Sequence, residues 1–471
     1  MPNPFAYLML LVWPVIAALL FQHLNREKAF VWSILGAYML LPPVANFNLP
    51  GLPDMDKYTI SNLSALVLTI WYLKVRPGIW PDSLVGRVLL LLFVLSPLFT
   101  TLTNPEAIRI LAGDVPALRI YDSLATISYQ VIALIPFFLA RRLLASEEGM
   151  KIIVTALVTA GLIYSVPMIL EARLSPQLNV WVYGFFAHDF AQSIRDGGFR
   201  PMVFLPHGLW IAFFALMTSM SALLLMKVST PETRMRQMFI FIYLLFVLTV
   251  SKSTGPTIYA AGLIPLIMFA PRRWQVLLSA VLAIVVITYP LLRGTHLVPL
   301  DSILEYARSY SAERGQSLQF RIANEETLLA RAAEKPWFGW GGYGRNLILD
   351  PVSGRILSIP DGKWIITLGT YGWSGYIAEF GTLILPLLLL AREAWRRGAE
   401  ALSPYTCVIA LLYAANLADM LPNATLIPFT WLMAGALLGH AEALAKQGRE
   451  PSRRKVPVAS PVAARRPRSV L

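Results

Sequence analysis

Charge is scarce in this chain. Only 14% of its 471 residues are Asp, Glu, Lys or Arg, about half the share of a soluble globular protein. Length alone would allow two or three soluble domains, but so few charges do not furnish their surfaces. Cysteine is nearly absent. Cys407 stands alone inside an apolar run, which excludes an intrachain disulfide framework and a cysteine-based metal site. The five histidines are scattered, so neither a metal nor another cofactor is expected. Acid is outnumbered by base, for a net charge of +13, yet nucleic acid is not the expected partner. The Lys and Arg lie mostly in short loops and in the tail, as in proteins oriented by cytoplasmic positive charge.

Apolar sequence takes the place of charge. Hydrophobic residues make up 56% of the chain and come in runs of about 17–25, long enough to cross a bilayer as helix. Lipid offers no partner to the backbone, so such runs must be helical. The expected fold is all-α, a polytopic transmembrane helix bundle of about thirteen spans (about 12–14). They fall near 5–21, 29–45, 59–75, 84–101, 119–140, 152–170, 202–226, 237–251, 254–270, 274–292, 373–391, 403–419 and 425–444. The first run lacks a basic flank and an A-x-A-like cleavage site, and reads as a retained helix rather than a signal peptide.

Basic pairs in alternate loops set the orientation. Arg26 and Lys28, Lys74 and Arg76, Arg141 and Arg142 with Lys151, Arg234 and Arg236, Arg272 and Arg273, and Arg396 and Arg397 are expected on the cytoplasmic side. The N-terminus is then outside. The tail, 446–471, carries eight Lys or Arg against Glu450 and reads as a disordered cytoplasmic segment that touches anionic lipid. The organisation is ten helices over 1–292 with a shorter periplasmic loop near 171–200, a large periplasmic loop over 293–364, three helices over 365–445, and the tail.

The large loop is expected to be ordered and partly helical. From Gln316 to Glu334 apolar residues recur at helical spacing, with Phe320, Ala323, Thr327 and Ala330 on one side and Leu328, Leu329 and Ala332 nearby. The helix should stop before Pro336. Trp337, Phe338, Trp340 and Tyr343 follow, a cluster suited to the membrane surface. The loop is rich in cations: Arg293, Arg308, Arg314, Arg321, Arg331, Lys335, Arg345, Arg355 and Lys363. Charge balance by neighbouring acids accounts for single residues. For the set, anion binding is the expectation, since the guanidinium fork suits phosphate.

Smaller motifs carry less. Gly339 to Gly344 spells G-x-G-x-x-G, but it follows a helix instead of a strand, so it reads as a tight turn allowing close backbone approach to a ligand or helix. Lys252, in Ser251-Lys252-Ser253, is either a snorkelling interface residue or an inward phosphate contact. Arg200 opens a span on the side where positive charge is disfavoured, which marks it as a ligand contact. His207, in the same span, is a hydrogen-bonded core histidine or a catalytic one. Asp361, in Pro360-Asp361-Gly362, is good turn chemistry by itself.

Taken in order, four segments resemble the O-antigen ligase and Wzy-type polymerase superfamily. They are Gly198-Phe199-Arg200 with Phe204-Leu205-Pro206-His207, Ser251 to Gly255, Arg321 to Ala333 followed by Lys335-Pro336-Trp337-Phe338-Gly339-Trp340-Gly341, and Trp364 to Gly375. The resemblance covers roughly residues 195–390. It implies a metal-independent, inverting glycosyltransferase of the bacterial inner membrane. Its donor would be an undecaprenyl-diphosphate-linked glycan at the periplasmic face, its acceptor a glycan or lipid. A chain-length regulator or export machinery would be a partner. The ligases of the family carry a histidine after the Gly-x-Gly segment. None lies between Gly344 and Trp373 here, and Asp361 stands near its place, which favours a polymerase over a ligase. Arg200, Lys252 and Arg321 are then the expected diphosphate contacts, converging in one outward cavity. Asp361 is the first candidate base and His207 the second. Asp361 suits that role only where no arginine pairs with it tightly, since such a pair would make it a structural anchor. An exporter or flippase is the alternative of another class. It would more naturally show inverted repeats.

Overall fold

The computed structural model describes residues 1–49, 53–195, 197–295, 297–398 and 402–447. The expected basic tail therefore lies, from 448 onward, outside the described residues. The chain opens with α1 (Pro4–His23), α2 (Arg26–Leu40) and α3 (Lys57–Trp71). Next come α4 (Leu84–Leu102), α5 (Ile120–Ala133), α6 (Ile135–Leu143) and α7 (Glu147–Leu174). A short α8 (Leu178–Tyr183) is followed by a hairpin of β1 (Ile194–Arg195) and β2 (Gly198–Phe199). Then follow α9 (Gly208–Val228), α10 (Pro231–Val250), α11 (Thr254–Phe269) and α12 (Arg272–Gly294). The large loop holds α13 (Leu300–Tyr310) and α14 (Ala312–Ala333). The chain returns through α15 (Lys363–Arg397), α16 (Pro404–Asp419) and α17 (Pro428–Gln447).

The fold is all-α and polytopic, and each expected span coincides with helix. Among the described residues, eight segments are long and apolar enough to cross a membrane: α1, α4, α5 with α6, α7, α9, α10, α12 and α15. By contrast α2, α3, α11 and α16 have only 15 or 16 residues, short of the roughly 20 needed for an upright crossing. Sequence explains one of these limits. The helix of α2 stops ahead of Pro42 and Pro43, which cannot continue it. Starts are fixed by side-chain caps: Asn3, Asn25, Asp56, Ser83, Ser146 and Ser403 each accept a backbone N–H of the first turn.

Polarity is arranged for lipid. Leu8, Leu11, Val15 and Leu19 of α1 and Phe239, Ile242 and Phe246 of α10 are exposed, whereas Thr218, Ser219, Thr367, Glu379 and Asn416 are buried. A bundle with an apolar perimeter and polar groups inside is a multi-pass membrane protein. Basic residues tie the helix ends together at the end opposite the large loop. Arg141 pairs with Glu442 at 2.6 Å, Arg272 donates to Leu402 O at 3.1 Å, and Arg397 bonds Leu444 O.

The other end, here the loop end, is organised by a break in α15. Gly372 adopts φ 64° and ψ −166° inside that helix, so the ladder is interrupted and carbonyls before the break lose their partners. The Gly-rich segment replaces them. Trp340 N donates to Gly369 O and Gly341 N to Thr370 O, both at 2.9 Å, while Trp373 N and Ser374 N donate back to Pro336 O and Trp337 O at 2.7 and 3.1 Å. Gly339, at φ +68°, lies so close to the Thr370 backbone that a Cβ there would overlap it. The tight turn expected of this motif is thus built to approach a helix. Nearby, Arg345 is buried and donates to the carbonyls of Trp340, Pro116 and Glu106 and to Asn104 Oδ1. Asn104 Nδ2 in turn donates to Gly339 O at 2.9 Å.

Helix α14 stops before Pro336 as expected. Glu325, Leu328 and Ala332 are buried, and Phe320, Ala323, Thr327 and Ala330 are not. The face that docks is the one carrying Arg321 and Glu325, whose partners on neighbouring segments hold it down. Trp337 and Tyr343 are exposed; Phe338 packs on Phe99 at 5.5 Å, and Arg331 lies over the Trp340 ring at 3.4 Å.

The clasp predicts a contrast between glycines. Gly339→Ala should destabilise the protein by more than about 1 kcal/mol, from left-handed backbone plus steric overlap. Gly342→Ala, which meets open space, should be nearly neutral. Thermal unfolding of both variants in detergent measures the difference.

Candidate functional site

At the loop end α9 and α11 begin, α10, α12 and α16 end, and α15 starts. Of the five residues singled out by sequence, three lie together. Arg200 is buried and its Nη2 donates to Ser253 Oγ at 2.9 Å. Ser253 is the residue preceding α11. The Arg200 side chain also rests on Gly208, the first residue of α9, leaving no space for a Cβ. Lys252, in the left-handed turn between α10 and α11 at φ 49°, places its Nζ against Gly198 of β2. Arg200 therefore stands at the starts of two helices, where backbone N–H groups add positive partial charge, and Lys252 lies against the hairpin strand that leads to it. That arrangement favours an anion.

His207 borders this cluster through the chain. Its Nδ1 accepts the Leu209 N–H at 3.0 Å, capping α9, and its ring meets His188 edge to face at 4.5 Å between centroids. With Nδ1 accepting, the neutral ring carries its proton on Nε2. His207 then presents a donor rather than a base on that nitrogen. Asp196, part of the same sequence motif, lies outside the described residues.

Arg321 lies in a second cluster. Its Nε stands 3.3 Å from Asp361 Oδ2, and its Nη1 donates to Pro422 O at 3.0 Å and Asn423 Oδ1 at 3.4 Å. Asn423 and Thr425 both donate to Asp419 at the end of α16. The structure thus brings Arg200 with Lys252, and Arg321 with Asp361, but shows no contact between the two pairs among the described residues. They are neighbours through α11: Tyr259, which feels the Asp419 carboxyl, lies six residues beyond Ser253, roughly 9 Å along the helix.

Of the remaining loop cations whose side chains are described, three gather: Arg331 and Lys335 both lie over the Trp340 ring, at 3.4 and 4.6 Å, and Lys335 and Arg345 both donate to Asn104 Oδ1. Arg331 pairs with Glu334, Lys363 with Glu379 and Arg293 with Glu326. Arg308 bonds Gln319, Lys335 bonds Asn104, and Arg345 holds carbonyls. Most of the excess positive charge in this loop is structural.

One residue at the site was missed by sequence reading. Glu325 is one turn beyond Arg321 on α14 and is buried. Burial pushes its carboxyl up to about 7. The adjacent Trp364 indole N–H, Arg293 and Arg321 pull the other way, and Asp361 adds to the rise. The Trp364 Nε1 is itself buried and falls short of hydrogen-bond geometry. A signal existed in the i, i+4 spacing from Arg321, which puts both side chains on one face.

No protein-family model matches the chain, and no curated protein matches it in sequence. What fold and geometry define is a multi-pass helical membrane protein with cations and carboxyls gathered at one end of its bundle.

The Glu325 environment sets a pH dependence. A carboxyl raised from 4.5 to about 7 on folding supports the fold while protonated, and this support is lost as pH rises through that interval. Glu325→Gln should therefore raise the melting temperature more at pH 8 than at pH 5. An equal shift at both would show that Glu325 does not titrate differently in the folded protein.

Proposed function

We propose that this protein is a glycan transferase of the bacterial inner membrane. It acts at the periplasmic face on undecaprenyl-diphosphate-linked saccharides, and it joins them as a polysaccharide polymerase. The reading is supported chiefly by one observation: Arg200 lies at the starts of two helices with Lys252 against the adjoining hairpin, at the same end as Arg321 and its carboxyl neighbours. The loop end is taken as periplasmic because the basic short loops lie at the opposite end.

The chemistry follows from the groups present. An acceptor hydroxyl attacks the anomeric carbon, the bond from that carbon to the diphosphate oxygen breaks, and configuration inverts. The diphosphate leaves with added negative charge, which Arg200, Lys252 and Arg321 stabilise. The hydroxyl proton goes to a carboxylate. Asp361 is paired with Arg321 at 3.3 Å, the setting of an anchor that orients the guanidinium. Glu325, poised near 7, is better matched to accept a proton at neutral pH. His207 serves as a hydrogen-bond donor.

Deleting the gene should leave short, unpolymerised glycan on the lipid carrier, read by electrophoresis of surface polysaccharide and mass spectrometry of carrier-linked intermediates. Arg321→Ala should reproduce this in protein still present in the membrane, with a rate loss on the order of 10²–10³. Arg321→Lys should rescue poorly, because the planar fork is gone. Glu325→Gln should lower polymerisation more than Asp361→Asn does. Normal chain length with glycan missing from its final acceptor would identify a ligase instead.

A further inference from the structure

The end of the bundle away from the large loop has one corner where positive charge is not matched by acid. Several cations at that end are matched. Arg141 and Lys446 share Asp82 and Glu442, two charges against two. Arg26 pairs with Glu27, and Lys151 with Glu148. The corner where α12 starts and α15 ends differs. Arg272, Arg273, Arg392, Arg396 and Arg397 stand there with Glu393. Glu393 is buried and faces Arg392, Arg397 and Arg396 at 3.1, 3.4 and 3.9 Å, and one carboxylate cannot neutralise three guanidiniums. Glu400 lies outside the described residues. Counted in full, it still leaves five arginines against two acids.

The two helix ends are joined by a contact that fixes charge without cancelling it. The Arg273 guanidinium lies over the Trp395 ring, 4.2 Å from its centroid. Arg272 and Arg397 are spent on the carbonyls of Leu402 and Leu444. That leaves Arg273, Arg392 and Arg396 to face outward, the last two with side chains 44% and 65% exposed. Guanidiniums so placed suit a phosphate.

Depth in the membrane decides which phosphate. Trp274 and Trp395 are both exposed, as tryptophans are at the level of lipid headgroups. Below Trp274, exposed Leu278, Val281 and Val285 follow at helical spacing on the same face of α12. A track of lipid-facing side chains thus runs from the arginines into the apolar perimeter. A free phosphate would use the arginines alone, whereas a phospholipid would use both.

We infer that this corner is a binding site for an anionic phospholipid. Its headgroup phosphate takes the Arg273 and Arg396 guanidiniums, and its acyl chains lie along Leu278, Val281 and Val285. The site stands on the membrane fold and does not rest on the transferase reading.

Photolabelling of the full chain in phosphatidylcholine nanodiscs tests it. The probes are trace phosphatidylglycerol and trace phosphatidylcholine, each with a diazirine in an acyl chain, and labelled peptides are mapped by mass spectrometry. The ratio of phosphatidylglycerol to phosphatidylcholine label on residues 274–285 should exceed that on the exposed face of α1 on the order of tenfold. Arg273→Gln with Arg396→Gln should bring it down to the α1 value. Arg392→Gln with Arg396→Gln, at the more exposed positions, carries the same expectation where the first pair does not fold. Arg234→Gln with Arg236→Gln removes equal charge from the start of α10, at the same end, and should leave the ratio unchanged. No enrichment in the wild type overturns the site. So does an equal fall in the corner and α10 variants, which would reduce the effect to a diffuse surface potential. Loss of enrichment to inorganic phosphate, but not to sodium chloride of equal ionic strength, would make this a site for free phosphate and overturn the lipid.

Discussion

Everything at the loop end depends on a reciprocal set of backbone hydrogen bonds between a broken helix and a glycine turn. The break at Gly372 releases carbonyls that lipid could never satisfy. Trp340 and Gly341 take them up, and Trp373 and Ser374 return the bonds. Only residues without a Cβ permit this approach at Gly339 and Gly372. Once the clasp is closed, α14 is held over the bundle, with Arg321 near Asp361 and Glu325 beside Trp364. The first half of α15 is fixed at the same time, and with it Lys363, which pairs with Glu379 of the same helix.

The positive charge at the loop end has two distinct physical uses. Arg345 donates to three carbonyls of two segments, Trp340 in the glycine turn and Glu106 and Pro116 in 103–119, and works as a mortar for irregular backbone. Arg200, with Lys252 against the adjoining hairpin, instead reinforces helix N-termini, which already repel cations and attract anions. These uses look alike in sequence, since both are arginines or lysines in a loop. They separate only when the groups facing each cation are known.

Periodicity and punctuation carried much of the fold. Apolar runs marked every bundle helix, Pro336 marked the end of α14, and the Gly339–Gly344 run marked a close approach that the break in α15 fulfils. Helix bounds were legible to a few residues: α11 and α16 match their apolar runs to one residue, whereas α2 and α3 begin two or three residues before theirs and end four or five residues earlier. Which side of α14 turns inward was not legible: apolar residues lie on both sides, and the groups that meet Arg321, at Asp361, Pro422 and Asn423, come from distant segments. Grouping Arg200 with Lys252 follows the sequence motifs. The separation of Arg321 from them, and the burial of Glu325, arise from contacts between residues about a hundred positions apart.

The clasp also constrains how the protein is made. Asn104 and Gly339, which bond directly, are 235 residues apart, and the carbonyls that complete the turn lie in α15, later still. A ribosome delivers α1 to α12 to the membrane long before these partners exist. The 103–119 segment must wait, uncovered, until the chain has grown past Ser374. Assembly of the loop end is therefore a late event in synthesis, and a polypeptide stopped before α15 would hold its early helices without the interlock that shapes this face.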